Sequence, residues 1–180
     1  MVDELRKEFD LVETWVDIEI HPETPAEGVS LAERFAGRDM SATYAALRRR
    51  GAEFGLEMNQ VERLSNSRLA TAAGEYARDH DSYPEFSRAV FEAYFARGED
   101  IGDIEVLAHC AADVGLDADG LRAALADDRY ADRLDAAMRE AAAAGVSGVP
   151  TFIIGGRERV VGAQPLEVLR AAMRHSQERV

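Results

Sequence analysis

The side chains best suited to nucleophilic, redox or zinc chemistry in this 180-residue sequence are one thiol, Cys110, and four imidazoles, His21, His80, His109 and His175. Their spacing argues against all three chemistries. Cys110 falls on an apolar stripe with Leu107 and Val114, with no glycine-rich turn or helix N-terminus beside it to lower its pKa. A free cysteine in such a place behaves as a small hydrophobe. His109 is its sequence neighbour, but successive helical residues are turned by about 100°, so the two do not face one way as a dyad. The other histidines occupy loop or end positions without metal-ligand spacing, and one cysteine makes neither an intramolecular disulfide nor a cysteine metal cluster. No catalytic residue and no metal site is expected. Arg48-Arg49-Arg50 could hold an anion such as the glutathione carboxylates, but three successive helical residues fan over about 200° and mark a solvated face.

The remaining candidate works through main chain. Gly145 to Phe152 reads Gly-Val-Ser-Gly-Val-Pro-Thr-Phe and joins a long helical pattern to a short apolar run. Pro150 has no N–H and belongs at a strand's first residue or in a tight turn, with Gly145 ending the helix and Gly148 allowing close backbone approach. A cis Val149–Pro150 bond fits this setting, although the cis form is the minor one even before proline. Two readings stand side by side. Pro150 is a strand-start proline without a ligand, or the Val149 N–H and C=O are turned sideways to pair with an extended peptide or a glutathione backbone.

The elements around this junction follow from periodicity. Val2 to Phe9 is a short amphipathic helical turn carrying Leu5 and Phe9. Val12 to Ile20 alternates and predicts a strand, with Val12, Thr14, Val16, Ile18 and Ile20 on one side and Glu13, Trp15, Asp17 and Glu19 on the other. His21-Pro22 and Thr24-Pro25 stop it and start an exposed loop to Gly28. Ser41 to Ala144 is helical throughout. Ser41 caps a first helix with Tyr44, Leu47, Gly51 and Phe54 on one face, and Ser65 or Asn66 caps a second with Leu69, Ala73 and Tyr76 inward. Pro84 starts a third with Phe86, Val90, Phe91, Tyr94 and Phe95 as core rather than cofactor box. Asp103 opens a fourth, Asp117 a fifth with Leu121 and Leu125, and Tyr130 to Ala141 continue as a sixth. Thr151 to Ile154 is then a buried strand, Gly155-Gly156 a hairpin turn and Arg159 to Val161 its partner. Pro165 starts a last helix with Leu166, Leu169 and Met173 inward, and Gln177 to Val180 are expected to fray.

Several separate stretches carry a family resemblance: Gly148-Val149-Pro150-Thr151-Phe152 with Ile153-Ile154-Gly155-Gly156, Val161-Gly162-Ala163-Gln164-Pro165, Trp15 with His21 to Gly28, Asn66-Ser67-Arg68-Leu69-Ala70, and Arg97-Gly98-Glu99-Asp100-Ile101-Gly102. From about Met1 to Met173 the chain resembles the DsbA-like thioredoxin-fold oxidoreductases, and within them the FrnE-like branch. The resemblance implies an α/β, thioredoxin-like fold with a large all-helical insertion, residues 1–40 and 132–180 forming the thioredoxin-like domain and 41–131 the insertion. It implies a cis Pro150 beside an active-site thiol, and makes Gly148, Val149, Pro150 and Thr151 the substrate-binding residues. Relatives begin with a strand, a Cys-Pro-X-Cys or Ser-Pro-X-Cys motif and its helix, all before the segment matching Trp15. Here Met1 starts inside the stretch matching that helix, so the first strand and the redox motif are expected to be missing, and Cys110 does not inherit the reactive role.

Composition bounds the rest. At 47% hydrophobic and 31% charged residues the chain is an ordinary globular mixture. No run is long and apolar enough for a bilayer, and the start lacks a signal-peptide layout, so no membrane partner and a cytoplasmic location are expected. A net charge of −13 with a pI near 4.7 repels nucleic acid. No cofactor is expected, glutathione counting only as a substrate. The function implied is that of a DsbA/FrnE-like thiol-disulfide oxidoreductase relative, inactive as a dithiol catalyst because exchange needs an attacking and a resolving thiol. The alternatives are a peptide- or thiol-ligand-binding module on the proline surface and a glutathione-dependent isomerase or transferase of the kappa-like branch. The expected partner is a thiol- or disulfide-containing protein or a small thiol. Strand edges left unpaired by a missing first strand are expected either to pair two copies as a homodimer or to lower stability relative to a longer chain.

Overall fold

A computed structural model describes residues 2–178. Met1 and the last two positions of the expected frayed end, Arg179 and Val180, lie outside the described residues. In chain order the elements are α1 (Val2–Arg6), β1 (Val29–Ser30), α2 (Leu31–Arg34), α3 (Ser41–Ala52), β2 (Arg63–Leu64), α4 (Arg68–Asp79), α5 (Tyr83–Phe95), α6 (Ile104–Asp113), α7 (Ala118–Ala126), α8 (Ala131–Ala143), β3 (Thr151–Ile154), β4 (Glu158–Val161) and α9 (Leu166–Gln177). They form two compact units, Met1–Val16 with Ala137–Val180, and Asp17–Ala136.

The second unit is built on α4, α5, α6 and α7. Its core mixes a few large side chains, Tyr76, Phe86, Leu107 and Leu121, with fully buried alanines such as Ala73, Ala77, Ala93 and Ala111. Alanine costs no side-chain entropy in a helix and lets helix backbones approach closely, so the few large residues carry most of the burial energy, about 1.5–3 kcal/mol each. The helix starts expected at Asp103 and Asp117 are present. Asp103 accepts from the Glu105 N–H, and Asp117 from those of Asp119 and Gly120. Helix α4 starts at Arg68 rather than directly after Ser65 or Asn66, yet Asn66 Oδ1 still accepts from the Arg68 N–H at 2.9 Å. Three inward assignments fail. Phe91 is 60% exposed, stacked on Phe95 at 5.9 Å, because Phe86 and Ala93 define the buried side of α5. On α3, Leu47 is exposed, as is Phe54 just beyond its end, while Gly51 is buried.

The expected strand from Val12 to Ile20 does not form. No strand lies beside it among the described residues, and an extended segment without a ladder partner leaves its backbone groups to water. Asp17 and Glu19 face inward instead, while Trp15 on the same side is 52% exposed. Arg78 pairs with Asp17 at 3.1 Å and lies 3.5 Å over the Tyr83 ring, the Tyr83 hydroxyl donates to Asp17 at 2.6 Å, and Arg68 pairs at 3.1 Å with Glu19, which is only 7% exposed. Val12, Val16 and Ile20 are left exposed. The alternation was real, but arginines on α4 decide which side is inside.

In the first unit, β3 and β4 pair antiparallel with Phe152 opposite Val160 and Ile154 opposite Glu158. Gly155 and Gly156 both take positive φ, and the Arg157 N–H donates to the Ile154 C=O at 3.1 Å, as a two-glycine hairpin turn requires. The hairpin packs against α9, whose Leu169 is fully buried. Strand β3 is half-buried rather than buried, with Ile153 exposed, because a two-stranded sheet has only one covered face.

Two expectations follow. A Cβ at Gly120 would fall 2.6 Å from the buried Tyr76 hydroxyl and 2.7 Å from the Asp117 cap. Overpacking of about 1–3 kcal/mol outweighs the ~1 kcal/mol that alanine adds in a helix, so Gly120→Ala should lower the urea midpoint. Burial, then the Asp17 hydrogen bond and charge, push the Tyr83 phenol up to about 12. The folded state therefore holds this proton longer than the unfolded chain, and that stability is whole below pH ~10 and lost as pH rises through ~12. Between these limits the wild type should lose more stability in urea unfolding than Tyr83→Phe does, which has no phenol to titrate.

Candidate functional site

The junction between α8 and β3 is held at each end. The Gly145 N–H donates to Ala142 and the Val146 N–H to Ala141, closing the helix with Gly145 at φ 67°. From β4, the Arg159 guanidinium donates to the C=O of Ala144 at 3.0 Å and of Gly145 at 2.9 Å. A cation there satisfies carbonyls without helical partners and complements the negative end of the helix dipole. A side chain at Gly145 would collide with it, its Cβ falling 2.6 Å from Arg159 Nη1.

Beyond this clamp the Val149–Pro150 peptide is cis. Pro150 directly precedes β3, where its missing N–H costs the ladder nothing. Its C=O accepts from the Gly162 N–H at 2.7 Å, and the Thr151 hydroxyl donates to the Gly148 C=O at 2.6 Å. Between these fixed carbonyls Val149 is 58% exposed, and its N–H and C=O have no partner among the described residues. The close approach expected at Gly148 is absent, since no heavy atom lies within 4 Å of where its Cβ would be. Of the four residues Gly148, Val149, Pro150 and Thr151, Val149 and Pro150 are exposed and Gly148 and Thr151 half-buried, and the open peptide groups are those of Val149.

The other candidates stand apart from any shared chemistry. Cys110 is fully buried in α6, and burial pushes its thiol pKa up, with Arg97 only partly opposing. His109 is exposed and lies 3.8 Å from Asp113 on the same helix. His21 pairs with Glu23, His80 bonds the Tyr76 C=O, and His175 lies 3.5 Å from Glu158. Among the described residues no group of three His, Cys, Asp or Glu is placed to hold a metal ion, and no helix is long and apolar enough to cross a membrane. Sequence reasoning missed Arg159 and Gly162 as clamps. An arginine followed by two valines in a strand gave no sign that it would reach carbonyls 15 and 14 positions earlier in the chain.

Residues 1–174 match the DSBA-like thioredoxin domain. The chain belongs to that family. Its fold is the DsbA-like thioredoxin fold, α/β with large helical content. It is similar to an uncharacterised protein of Bacillus subtilis strain 168, YwbO, at 32% identity over 130 residues, which make up 71% of this chain and 64% of that relative. The match thus spans less than two thirds of the curated relative's length. Among solved structures it is similar to a probable DsbA oxidoreductase from Streptomyces coelicolor, with a TM-score of 0.82, 28% identity, and 89% of this chain and 73% of that one covered. A 2-hydroxychromene-2-carboxylate isomerase shares the fold at 20% identity and a TM-score of 0.74, over 99% of this chain and 87% of that one.

A buried thiol of raised pKa should not react as native protein. Ellman's reagent at pH 8 is expected to label Cys110 only as fast as the protein unfolds, with full labelling in denaturant, and prompt labelling of the folded chain would contradict the burial.

Proposed function

We propose that this DSBA-like protein docks an extended thiol- or disulfide-bearing peptide, glutathione included, along the Gly148–Thr151 backbone, and that the 180-residue chain is not itself a dithiol catalyst. The observation that carries the reading is the exposed, unpartnered N–H and C=O of Val149 between two carbonyls already fixed by Thr151 and Gly162. One donor and one acceptor, held still, suit a short main-chain ladder with a peptide. Two such bonds supply about 1–3 kcal/mol net. Binding therefore needs apolar help, which the exposed Val149 and Ile153 side chains offer. The kinship with a probable DsbA oxidoreductase supports a thiol or disulfide as the ligand's chemistry. Exchange by this chain alone lacks the means. A thiolate must attack a disulfide sulfur and a second thiol must release the mixed disulfide, whereas Cys110 is the one cysteine and is buried.

The test has two arms. In amide NMR, oxidised glutathione and a short disulfide peptide should shift Val149 and Thr151 first, and Thr151→Val, which frees the Gly148 carbonyl, should weaken that response several-fold. In insulin reduction, neither the wild type nor Cys110→Ala should turn over. Shifts that spare residues 148–151 would remove the docking site, and turnover that Cys110→Ala abolishes would remove the second half of the reading.

A further inference from the structure

Within Asp17–Ala136 lies a cavity of about 310 Å³, near the lower end of the range for small-ligand sites. Its floor is aliphatic: Leu69 and Ala72 from α4, and Ala124 and Leu125 from α7. Its mouth is built from loops that are tied to one another. The Asn66 side chain donates to the Thr24 C=O at 2.6 Å and accepts from the Arg68 N–H, so both ends of the amide are used. Gly102 packs closely beside it, a Cβ there falling 3.1 Å from the Asn66 C=O and 3.6 Å from that of Ala26. The opening is therefore preformed, and little ordering cost attends binding.

The charges at the rim define the ligand. Arg68 is already engaged by Glu19 at 3.1 Å and Asp135 at 3.6 Å. Arg129 has Asp127 only at 3.9 Å, and Asp128, held at φ 48°, has no ion-pair partner among the described residues. An uncharged apolar ligand would cover one cation and one anion without satisfying either. A net anion is opposed by the chain's charge of −13, and a net cation leaves Arg129 unanswered. We propose that this cavity binds a small zwitterion with an aliphatic side chain, a free α-amino acid of about leucine size. Its carboxylate lies on Arg129, its ammonium on Asp128 and its side chain on the aliphatic floor. The site is independent of the peptide-docking reading.

The probes are L-leucine, leucinamide, which lacks the carboxylate, and 4-methylpentanoate, which lacks the ammonium, each titrated into labelled protein by amide NMR. Leucine should shift Ala72, Gly102 and Ala124, and each analogue should bind at least about tenfold more weakly, as expected when a charge-assisted hydrogen bond is lost. Arg129→Gln and Asp128→Asn should each weaken leucine by a similar factor, Asn being chosen because it tolerates the left-handed backbone. Silence of these amides at millimolar leucine would overturn the proposal. So would analogues that bind the wild type as well as leucine does, a comparison that needs no variant to fold.

Discussion

Pro150 cannot donate a backbone hydrogen bond, and the region from α8 to α9 is arranged around that fact. The residue must stand just before β3, so the chain arriving from α8 must stop, turn and be held before the ladder begins. The Arg159 guanidinium on the carbonyls of Ala144 and Gly145, just past the end of α8, holds the near side, and the Gly162 N–H on the Pro150 carbonyl holds the far side. Both clamps come from β4 and its end, so hairpin register and junction geometry are one constraint. A slip of one residue would turn Arg159 to the other face. What remains outside the clamps is the Val149 peptide group, which is why the candidate site is backbone rather than side chain.

In the helical unit the comparable constraint is electrostatic. Asp17 and Glu19 are drawn onto α4 by Arg78 and Arg68, and Tyr83 completes the shell around Asp17. A buried carboxylate without such partners would be costly, so these arginines are what permits Asp17 and Glu19 to face inward. The same Arg68 that anchors Glu19 also lines the proposed amino-acid cavity, and its prior engagement leaves Arg129 as the cation available there.

Much of the fold was legible because its signals are local. Aspartates at 103 and 117 cap helices through their own next residues, Pro84 sits in the first turn of α5, and two adjacent glycines turn the hairpin. The burial of Cys110 followed from its place on a helical stripe. The motif around Pro150 was likewise readable, both from the missing N–H and from family resemblance. The failures involve partners distant in sequence. Val12 to Ile20 alternates as a half-buried strand does, but alternation does not say which side is buried or whether a neighbour exists to pair with. Phe91 has the spacing of a core residue, yet the buried side of α5 is set by α4 and α6.

The sequence by itself therefore determined the longer helices, the aspartate caps at 103 and 117, the hairpin and the position of the proline, because each rests on side chains and backbone groups within a few residues of one another. The caps expected at Ser41 and at Ser65 or Asn66 fall instead at Met40 and Ser67. Only the tertiary structure decided that Arg159 closes α8, that Asp17 and Glu19 turn inward onto α4, and that loops at 26, 66 and 102 converge on one cavity. Those outcomes depend on which surfaces meet after the chain has folded. Charge pairing and close packing across long separations leave no period in the sequence to read.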